Sequence, residues 1–280
     1  MQGKVVVVTG ATSGIGEVAA MRLAGQGARI VFIARDPARA ETTLAKLRQA
    51  GPDAAHRAHM ADLSLMADTR RVAAEIAAAE PRIDVLINNA GAVFDRRVMT
   101  SEGLELTFAL NHMAYFVLTE GLKARLVGSA PARIVSTASA AHQGARLDFE
   151  DLQSSRSFSA LGVYGRSKLC NILFTRELAR RLAGTGVTAN CLHPGVVATR
   201  FGDNTGGLLR LVMPLVKRLS ISPERGAETI VYLAASAEVE GVSGLYFAKC
   251  TPATPSAAAR DDAAAARLWE ASERLAGAAA

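Results

Sequence analysis

VVVVTGATSGIG, which runs from Val5 to Gly16, is the most informative segment of this 280-residue chain for its architecture. Its four valines are β-branched and too few for a helix, so they predict a short strand buried on both faces. An apolar stripe at Ile15, Ala19 and Leu23 predicts a helix directly after the glycines. A glycine-rich turn between a strand and a helix leaves backbone N–H groups free at the helix N-terminus, where they can hold a pyrophosphate. We therefore predict dinucleotide contacts at Gly10, Thr12, Ser13, Gly14, Ile15 and Gly16.

The second predicted strand, 29–34, ends where dinucleotide-binding chains need a group for the adenosine ribose. An acidic residue there would select NAD, whereas an arginine would meet the 2′-phosphate of NADP. Arg35 occupies the position, and Arg39 lies one helical turn further on, where it could add a second positive contact. The sequence therefore favours NADP over NAD as the cofactor. The alternative is that Arg35 is a solvated residue at a strand end.

Two later strand ends add residues that could contact the nucleotide. Asp62 and Leu63 follow a weak third strand, and a carboxylate there can accept a hydrogen bond from the adenine amino group. Asn89, Ala90 and Gly91 follow the fourth strand, where small residues let a cofactor lie against the backbone.

Strands alternate with helices along the chain. This alternation predicts an α/β fold with a doubly wound parallel sheet of about seven strands and helices on both faces. No linker or repeat divides residues 1–280, so we expect a single domain. Ser101 with Glu102 predicts the start of a long helix that carries Asn111. The alanine-rich segment 255–280 predicts a terminal helix.

Four polar side chains are candidates for catalysis. Tyr164 and Lys168 are four residues apart in a predicted helix and share one face. A nearby ammonium favours the phenolate, so a desolvated pair can act as a general acid/base, although a surface pair would have no such role. Ser139 follows the fifth strand, at the sheet edge where ligands bind. Asn111 has apolar neighbours, so its amide is either a structural staple or a water holder.

The segment 199–222 differs from the rest of the chain. It is crowded with apolar residues and contains a Gly206-Gly207 pair that could act as a hinge. We interpret it as a lid over a lipophilic pocket. An ordinary core helix and a helix on a membrane surface are the alternatives.

The composition argues against several functional classes. The formal net charge is +6, but the basic residues are dispersed and aromatics make up only 5%, so we expect no nucleic-acid partner. No apolar run approaches the ~20 residues that span a bilayer, and no signal pattern precedes the first strand. Cys170, Cys191 and Cys250 show neither metal-binding spacing nor a disulfide framework. We therefore expect no metal site and a cytoplasmic location.

Together these motifs resemble the short-chain dehydrogenase/reductase superfamily over nearly the whole chain. The motifs are Thr9-Gly10-x-x-x-Gly14-x-Gly16, Asn88-Asn89-Ala90-Gly91, Ser139, Tyr164-x-x-x-Lys168 and Pro194-Gly195. A closer branch, the retinol dehydrogenases and WW-domain oxidoreductases, is similar in four further stretches. These are Ser139-Ala140-Ala141-His142, Ser167-Lys168-Leu169-x-Asn171, Leu192-His193-Pro194-Gly195-Val196 and Leu268-Trp269-x-x-Ser272-Glu273.

The resemblance implies a Rossmann-type fold and reversible hydride transfer between NADP(H) and a lipophilic alcohol or its aldehyde or ketone. It implies that Tyr164 exchanges a proton with the substrate oxygen and that Ser139 orients that oxygen. Lys168 would lower the pKa of Tyr164 and hold the nicotinamide ribose, and Asn111 would hold a water. Further cofactor contacts are implied at Pro194, Gly195, Val197 and Thr199, and a homo-oligomer is possible. A non-catalytic NADP(H) sensor or a scaffold protein on the same fold is the alternative.

Overall fold

A computed structural model describes residues 1–195 and 221–278 of the chain. Its strands form one sheet in the order β3-β2-β1-β4-β5-β6-β7-β8. The strands are β1 (Val5–Thr9), β2 (Arg29–Ala34), β3 (Arg57–Met60), β4 (Val85–Asn88), β5 (Ala132–Thr137), β6 (Val187–His193), β7 (Tyr246–Ala248) and β8 (Thr251–Pro252). The seven strands β1 to β7 are parallel, as predicted, and β8 pairs antiparallel with β7. The sequence missed β8 because it is a two-residue strand that contains a proline.

Helices cover both faces of the sheet. They are α1 (Gly14–Gly25), α2 (Pro37–Ala50), α3 (Met66–Ala79), α4 (Leu106–Phe108), α5 (Ala114–Gly128), α6 (Ala160–Arg181), α7 (Pro223–Ala235) and α8 (Asp262–Ala278). Buried residues of α1, α2 and α7 belong to one core, and those of α3, α5, α6 and α8 belong to the other. This arrangement confirms the doubly wound fold that the alternation predicts.

The valines of β1 pack into both cores of the molecule. Val5 and Val7 belong to the core beneath α3, α5 and α6, whereas Val6 and Val8 belong to the core beneath α1, α2 and α7. Strand β1 therefore has no solvent-facing side, which explains why its first four residues are all valines. The strand order reverses at β1, which pairs with β2 on one side and with β4 on the other. Ligands of open α/β sheets bind at the carboxyl ends of the strands beside such a reversal.

The long helix that carries Asn111 does not begin at Ser101 and Glu102, as the sequence predicts. It begins at Leu106, because the carboxylate of Glu105 caps its first turn and accepts hydrogen bonds from the next backbone N–H groups. Glu102 instead accepts hydrogen bonds from the backbone N–H groups of Met66 and Ala67, so it caps α3. A capping motif in the sequence does not reveal which helix a flexible carboxylate will reach.

A five-residue π-helical segment, Ala109–Met113, joins α4 to α5 and contains Asn111. Such segments occur often at functional sites, because the wider turn places one side chain out of the ordinary helical register.

The terminal segment 255–280 contains the helix α8 and, before it, a 3-10 turn at Ala258–Arg260. Trp269 of α8 is buried and stacks on Phe174 of α6, with ring centroids 5.8 Å apart and planes 10° apart. Among the described helices, none is long and apolar enough to cross a membrane. The described residues also contain no cluster of acidic, histidine and cysteine side chains that could hold a metal ion.

Candidate active site

The glycine-rich turn between β1 and α1 leaves no room for side chains. Gly10 has a φ of +71° and Gly14 a φ of +60°, in the left-handed region that favours glycine. A Cβ atom on Gly16 would lie 2.3 Å from the carbonyl oxygen of Gly10. Ser13 precedes α1 but makes no side-chain capping bond to it. The first N–H groups of this 12-residue helix are therefore not capped by Ser13 and suit an anionic ligand.

Thr9 ties the turn to the neighbouring strand ends. Its hydroxyl accepts hydrogen bonds from the backbone N–H groups of Asn89, at 2.8 Å, and of Ala90, at 2.9 Å. The Asn89 amide donates to the carbonyl oxygen of Thr9 and accepts from the hydroxyl of Thr137. The carboxyl ends of β1, β4 and β5 are thereby held together, and Asn89 acts there as a structural tie.

Lys168 is buried beside the end of β5. Only 3% of the residue is exposed, and its Nζ donates to the carbonyl oxygen of Thr137 at 3.0 Å. The same oxygen accepts a hydrogen bond from the amide of Asn171 at 3.2 Å. Burial lowers the pKa of Lys168 to about 7, because the charged form loses its hydration. The lysine can therefore change its charge near neutral pH.

Tyr164 lies next to Lys168, whose Nζ is 5.6 Å from the centre of the phenol ring. Burial raises the pKa of the Tyr164 phenol, and a hydrogen bond with Ser139 opposes that rise. This direction differs from the expectation that Lys168 lowers the pKa of Tyr164. The reason is that desolvation disfavours the phenolate and also reduces the charge of the neighbouring ammonium.

Ser139 follows β5 by two residues and begins the 3-10 turn Ala140–His142. Its hydroxyl accepts a hydrogen bond from the backbone N–H of Ala141 at 3.2 Å. The carbonyl oxygen of Ala141 lies 2.6 Å from where a Cβ atom of Gly165 would be. This contact packs the turn against α6 directly beside Tyr164, which is how Ser139 reaches the phenol.

Asn111 uses its amide as a staple. The Nδ2 atom donates to the carbonyl oxygen of Ala92 and to the hydroxyl of Ser167, both at 3.0 Å. The Oδ1 atom accepts from the backbone N–H of Ala92 at 2.9 Å. A Cβ atom on Gly91 would lie 3.1 Å from Asn111 Oδ1 and 3.4 Å from Lys168 Nζ. Asn111 therefore lies close to the catalytic candidates, while its role in holding a water stays a prediction.

Arg35 directly follows β2, and Arg39 lies in the first turn of α2. The side chain of Arg35 is 78% exposed and lies 3.8 Å from the Asp62 carboxylate. Arg39 donates to the carbonyl oxygen of Thr12 at 3.2 Å, so it bridges α2 to the glycine-rich turn. Asp36 caps α2 by accepting hydrogen bonds from the backbone N–H groups of residues 38 and 39. Its carboxylate is thus engaged within the chain.

Residues 4–206 match the family model for short chain dehydrogenases. The chain belongs to the short-chain dehydrogenase family. Retinol dehydrogenase 14 of Mus musculus is 43% identical over 291 residues, which cover 99% of this chain and 87% of the relative. The chain is therefore a short-chain alcohol dehydrogenase of the retinol dehydrogenase branch, and its cofactor is a nicotinamide dinucleotide.

Two solved structures share the fold of this short-chain dehydrogenase. An uncharacterized protein from Mycobacterium paratuberculosis is 30% identical, with a TM-score of 0.78 over 99% of this chain and 94% of that chain. The RhlG/NADP active-site complex from Pseudomonas aeruginosa is 27% identical, with a TM-score of 0.70 over 88% of this chain and 94% of that chain.

The remaining predicted residues of the dehydrogenase divide into two groups. Leu63 is buried, and Pro194 and Gly195 follow β6 at the same sheet edge, with a φ of +95° at Gly195. Val197, Thr199 and the predicted lid 199–222, apart from its last two residues, lie outside the described residues.

Four residues of this site received no role from the sequence, although two of them stand in the family motifs. They are Thr9, Tyr115, Thr137 and Asn171. The ring of Tyr115 lies 5.9 Å from Lys168 Nζ, and its buried hydroxyl has no hydrogen-bond partner among the described residues. Tyr115 is one helical turn beyond Asn111, a signal that could have found it. The roles of Thr9 and Thr137 depend on contacts between strands that no local pattern encodes.

Proposed function

We propose that this enzyme interconverts a lipophilic alcohol and its aldehyde or ketone, with NADP(H) as the hydride carrier. The observation that carries the proposal is the meeting of three groups at one sheet edge. Tyr164 hydrogen-bonds with Ser139, and the buried ammonium of Lys168 lies beside the Tyr164 ring. A phenol, a hydroxyl and a titratable ammonium are the groups that proton exchange with a substrate oxygen requires.

Each side chain has its own part in the reaction. The hydroxyl of Tyr164 gives its proton to the carbonyl oxygen during reduction and takes it back during oxidation. The Ser139 hydroxyl donates to the same oxygen and stabilises the developing charge. Lys168, held by Thr137, would in its protonated form supply the positive charge that opposes the effect of burial on the Tyr164 phenol, and Asn111 would hold a water that links Lys168 to solvent. When bound, NADP(H) supplies or accepts the hydride, and its positively charged oxidised ring adds to the field that favours the phenolate.

The residues present fit a phosphorylated dinucleotide. Gly10, Gly14 and Gly16 keep side chains away from the uncapped N-terminus of α1, which favours a pyrophosphate there. Arg35 has the exposure to meet a 2′-phosphate, and Arg39 lies against the glycine-rich turn. Because Asp36 is engaged in capping α2, no free carboxylate stands directly after β2 to select the ribose of NAD. NAD remains the alternative cofactor.

One exposed leucine beside the site is consistent with a lipophilic substrate. Leu161 lies one helical turn before Tyr164 on α6 and is 58% exposed, the largest exposure among the big apolar side chains of the described residues. The similar mouse protein is named as a retinol dehydrogenase, and retinol is a long apolar alcohol. We therefore infer a retinoid-like alcohol or aldehyde as the substrate class. The single domain 1–280, the lid 199–222 and the cytoplasmic location remain part of the proposal.

The first test removes one hydroxyl. Tyr164→Phe is expected to abolish turnover of NADPH with retinal and with a series of straight-chain aldehydes, because only the proton-exchanging group is lost. NADPH should still bind, as measured by fluorescence titration. In the wild type, kcat/KM should rise along the aldehyde series by up to ~0.8 kcal/mol, or about fourfold, for each methylene buried.

Tyr232→Phe is the matched control, because Tyr232 lies on α7, in the opposite helix layer, and its hydroxyl donates to the Glu238 carboxylate. It should keep wild-type turnover. Turnover by Tyr164→Phe would refute the catalytic assignment. A kcat/KM that is flat or falls with chain length would refute the lipophilic substrate.

The second test concerns the choice between cofactors. Arg35→Asp should weaken NADPH binding far more than NADH binding, because the carboxylate repels a 2′-phosphate and accepts hydrogen bonds from a free ribose. Arg48→Asp, at the exposed C-terminal end of α2, is the control with the same change in charge. A wild type that binds NADH more tightly than NADPH in the same titration would contradict the proposal.

A non-catalytic sensor on the same fold is not favoured by any feature of the site. Binding a dinucleotide needs the glycine-rich turn, but it does not need Ser139, Tyr164 and Lys168 to meet at the cleft.

A further inference from the structure

The turn that carries Ser139 is held by a buried histidine. The carbonyl oxygen of Ser139 lies 2.6 Å from Nδ1 of His142 and also accepts from the His142 backbone N–H at 3.2 Å. The other ring nitrogen, Nε2, accepts a hydrogen bond from the backbone N–H of Ser256 at 3.1 Å. A backbone N–H can only donate, so Nε2 carries no proton. The hydrogen-bond network therefore assigns the imidazole proton to Nδ1, where it donates to Ser139.

The surroundings of His142 are fixed on several sides. The residue is fully buried, and its ring meets the ring of Tyr246 from β7 edge-on, with centroids 5.2 Å apart. The next residue after Ser139, Ala140, donates its backbone N–H to Nδ1 of His193 at the end of β6. The turn is thus fastened to β6, to β7 and to the segment that precedes α8.

Movement of this turn would change the position of the Tyr164 phenol. The turn packs on α6 at Gly165, where the carbonyl oxygen of Ala141 occupies the space that a side chain would need. Tyr164 is the residue before this contact, and its hydrogen bond with Ser139 crosses the same junction. Catalytic groups must be held to within a fraction of an ångström, and supporting residues decide whether they are.

We propose that His142 is a positioning residue for Ser139, in which the neutral imidazole with its proton on Nδ1 holds the Ser139 carbonyl and fastens the turn to Ser256. The proposal rests on the catalytic role proposed above for Ser139. His142 acts through the serine, because its two ring nitrogens bond with the backbone of Ser139 and Ser256.

Protonation of His142 would break this arrangement. A second proton would place an N–H at Nε2, directly against the N–H of Ser256, so the two donors would repel each other and push the ring, and with it the Ser139 carbonyl, out of place. The titratable groups that face the ring are His193 of β6, Tyr246 of β7 and, through Ser139, Tyr164 of α6. None of them is an anion near neutral pH. Burial lowers the pKa of His142, so activity should fall only below the ordinary histidine pKa of about 6.5.

Three substitutions of His142 test whether its hydrogen bonds or only its volume are needed for activity. In His142→Asn the amide nitrogen takes the place of Nδ1, so the bond to the Ser139 carbonyl is kept and the bond to Ser256 is lost. In His142→Gln the amide oxygen takes the place of Nε2, so the bond from the Ser256 N–H is kept and the bond to Ser139 is lost. His142→Leu keeps neither bond. The asparagine variant should keep kcat within about threefold of wild type, while the other two lose about tenfold or more, with KM for NADPH unchanged.

The pH profile adds a second readout. His142→Asn has no titrating ring. Its kcat should therefore decrease less than that of the wild type as the pH is lowered below about 6.5. Equal losses of kcat in the asparagine and glutamine variants, or losses that follow the melting temperature alone, would overturn the positioning role.

A third measurement does not depend on turnover. Nitrogen NMR of histidine-labelled wild-type protein at pH 7 should show the Nδ1–H tautomer for His142. An active wild type with an Nε2–H tautomer would overturn the positioning role but leave the proposed function intact. A wild type that turns over no alcohol or carbonyl compound would instead overturn the proposed function, and the positioning role with it.

Discussion

Lys168 places an ammonium in a nearly dry part of the structure, and burial lowers its pKa to about 7. In an unfolded chain the same group has a pKa of about 10.4. Between these two values the unfolded state binds more protons than the folded state, so the stability of the fold rises with pH over that interval. Below about pH 7 both states are protonated, and the full destabilising effect of the buried charge remains.

Replacing this residue should therefore separate activity from stability. Lys168→Met is expected to lose turnover, to be more stable than the wild type at pH 7, and to lack the increase in stability between pH 7 and pH 9. Urea unfolding at both pH values measures the free energy of unfolding. Lys123→Met, on the exposed side of α5, should keep the wild-type dependence on pH. A Lys168→Met variant that is less stable at pH 7 would mean that the hydrogen bond to Thr137 outweighs desolvation.

Single residues of the site could be predicted only where two functional side chains are close together in the sequence. The separation of Tyr164 and Lys168 predicts that they share a helix face, and they do. The pKa of Tyr164 was not predictable, because proximity to a cation is visible in the sequence whereas the depth of burial is not. The role of Thr137 could not be predicted either, because its side chain does not carry it. It contributes a backbone carbonyl oxygen, which every residue has.

Among the elements, the glycine-rich turn between β1 and α1 tolerates the least change. Gly16→Ala would push a methyl group into the backbone of Gly10, and a backbone atom cannot move aside as the end of a side chain can. We expect the variant to lose most of its affinity for NADPH, measured by titration. Gly277→Ala, in α8, is the control, because a Cβ atom there meets nothing within 4 Å. It should keep its affinity and gain up to about 1 kcal/mol of stability. Unchanged NADPH binding by Gly16→Ala would contradict the close packing of this turn.

The start of a helix can be recognised in the sequence where the capping residue is its immediate neighbour. Pro37 and Pro223 each stand at the first turn of a helix, and the residue before each caps that helix through its own side chain. The helix after Glu102 was predicted too early, because that carboxylate caps α3 across the loop. Local caps can be predicted from sequence, whereas caps supplied by another segment depend on the fold that they help to form.

For the molecule as a whole, buried and partly buried histidines predict how the stability of the fold depends on pH. His56, His112, His142 and His193 all have a lowered pKa with burial as the first cause, and that of His112 is about 3. The unfolded chain takes up protons on these rings below about pH 6.5, whereas the folded chain takes them up only at lower pH. Stability should therefore fall as the pH decreases from 7 to 5, by at most ~1.4 kcal/mol per pH unit for each histidine.

Urea unfolding at pH 7, 6 and 5 tests this dependence. A His112→Met variant, which removes the most strongly perturbed ring, should show a smaller decrease than the wild type. An equal free energy of unfolding at the three pH values would contradict the prediction.

The architecture was the most predictable feature of the molecule. Seven parallel strands and two helix layers follow from alternation and from apolar runs such as the valines of β1, because burial on both faces leaves a strong signal. The order of the strands and the tie that Thr9 makes to Asn89 were not predictable from local patterns, because they join residues about 80 positions apart.

Trp269 is the single tryptophan of the chain, and it is buried between α8 and α6 with the guanidinium of Arg181 4.4 Å from its ring centre. Its fluorescence is therefore a local signal. Emission from this protein reports whether the terminal helix is docked on α6, and it says little about the glycine-rich turn at the other side of the sheet. A transition seen by fluorescence at milder conditions than one seen by circular dichroism would be the undocking of α8 from a sheet that is still folded.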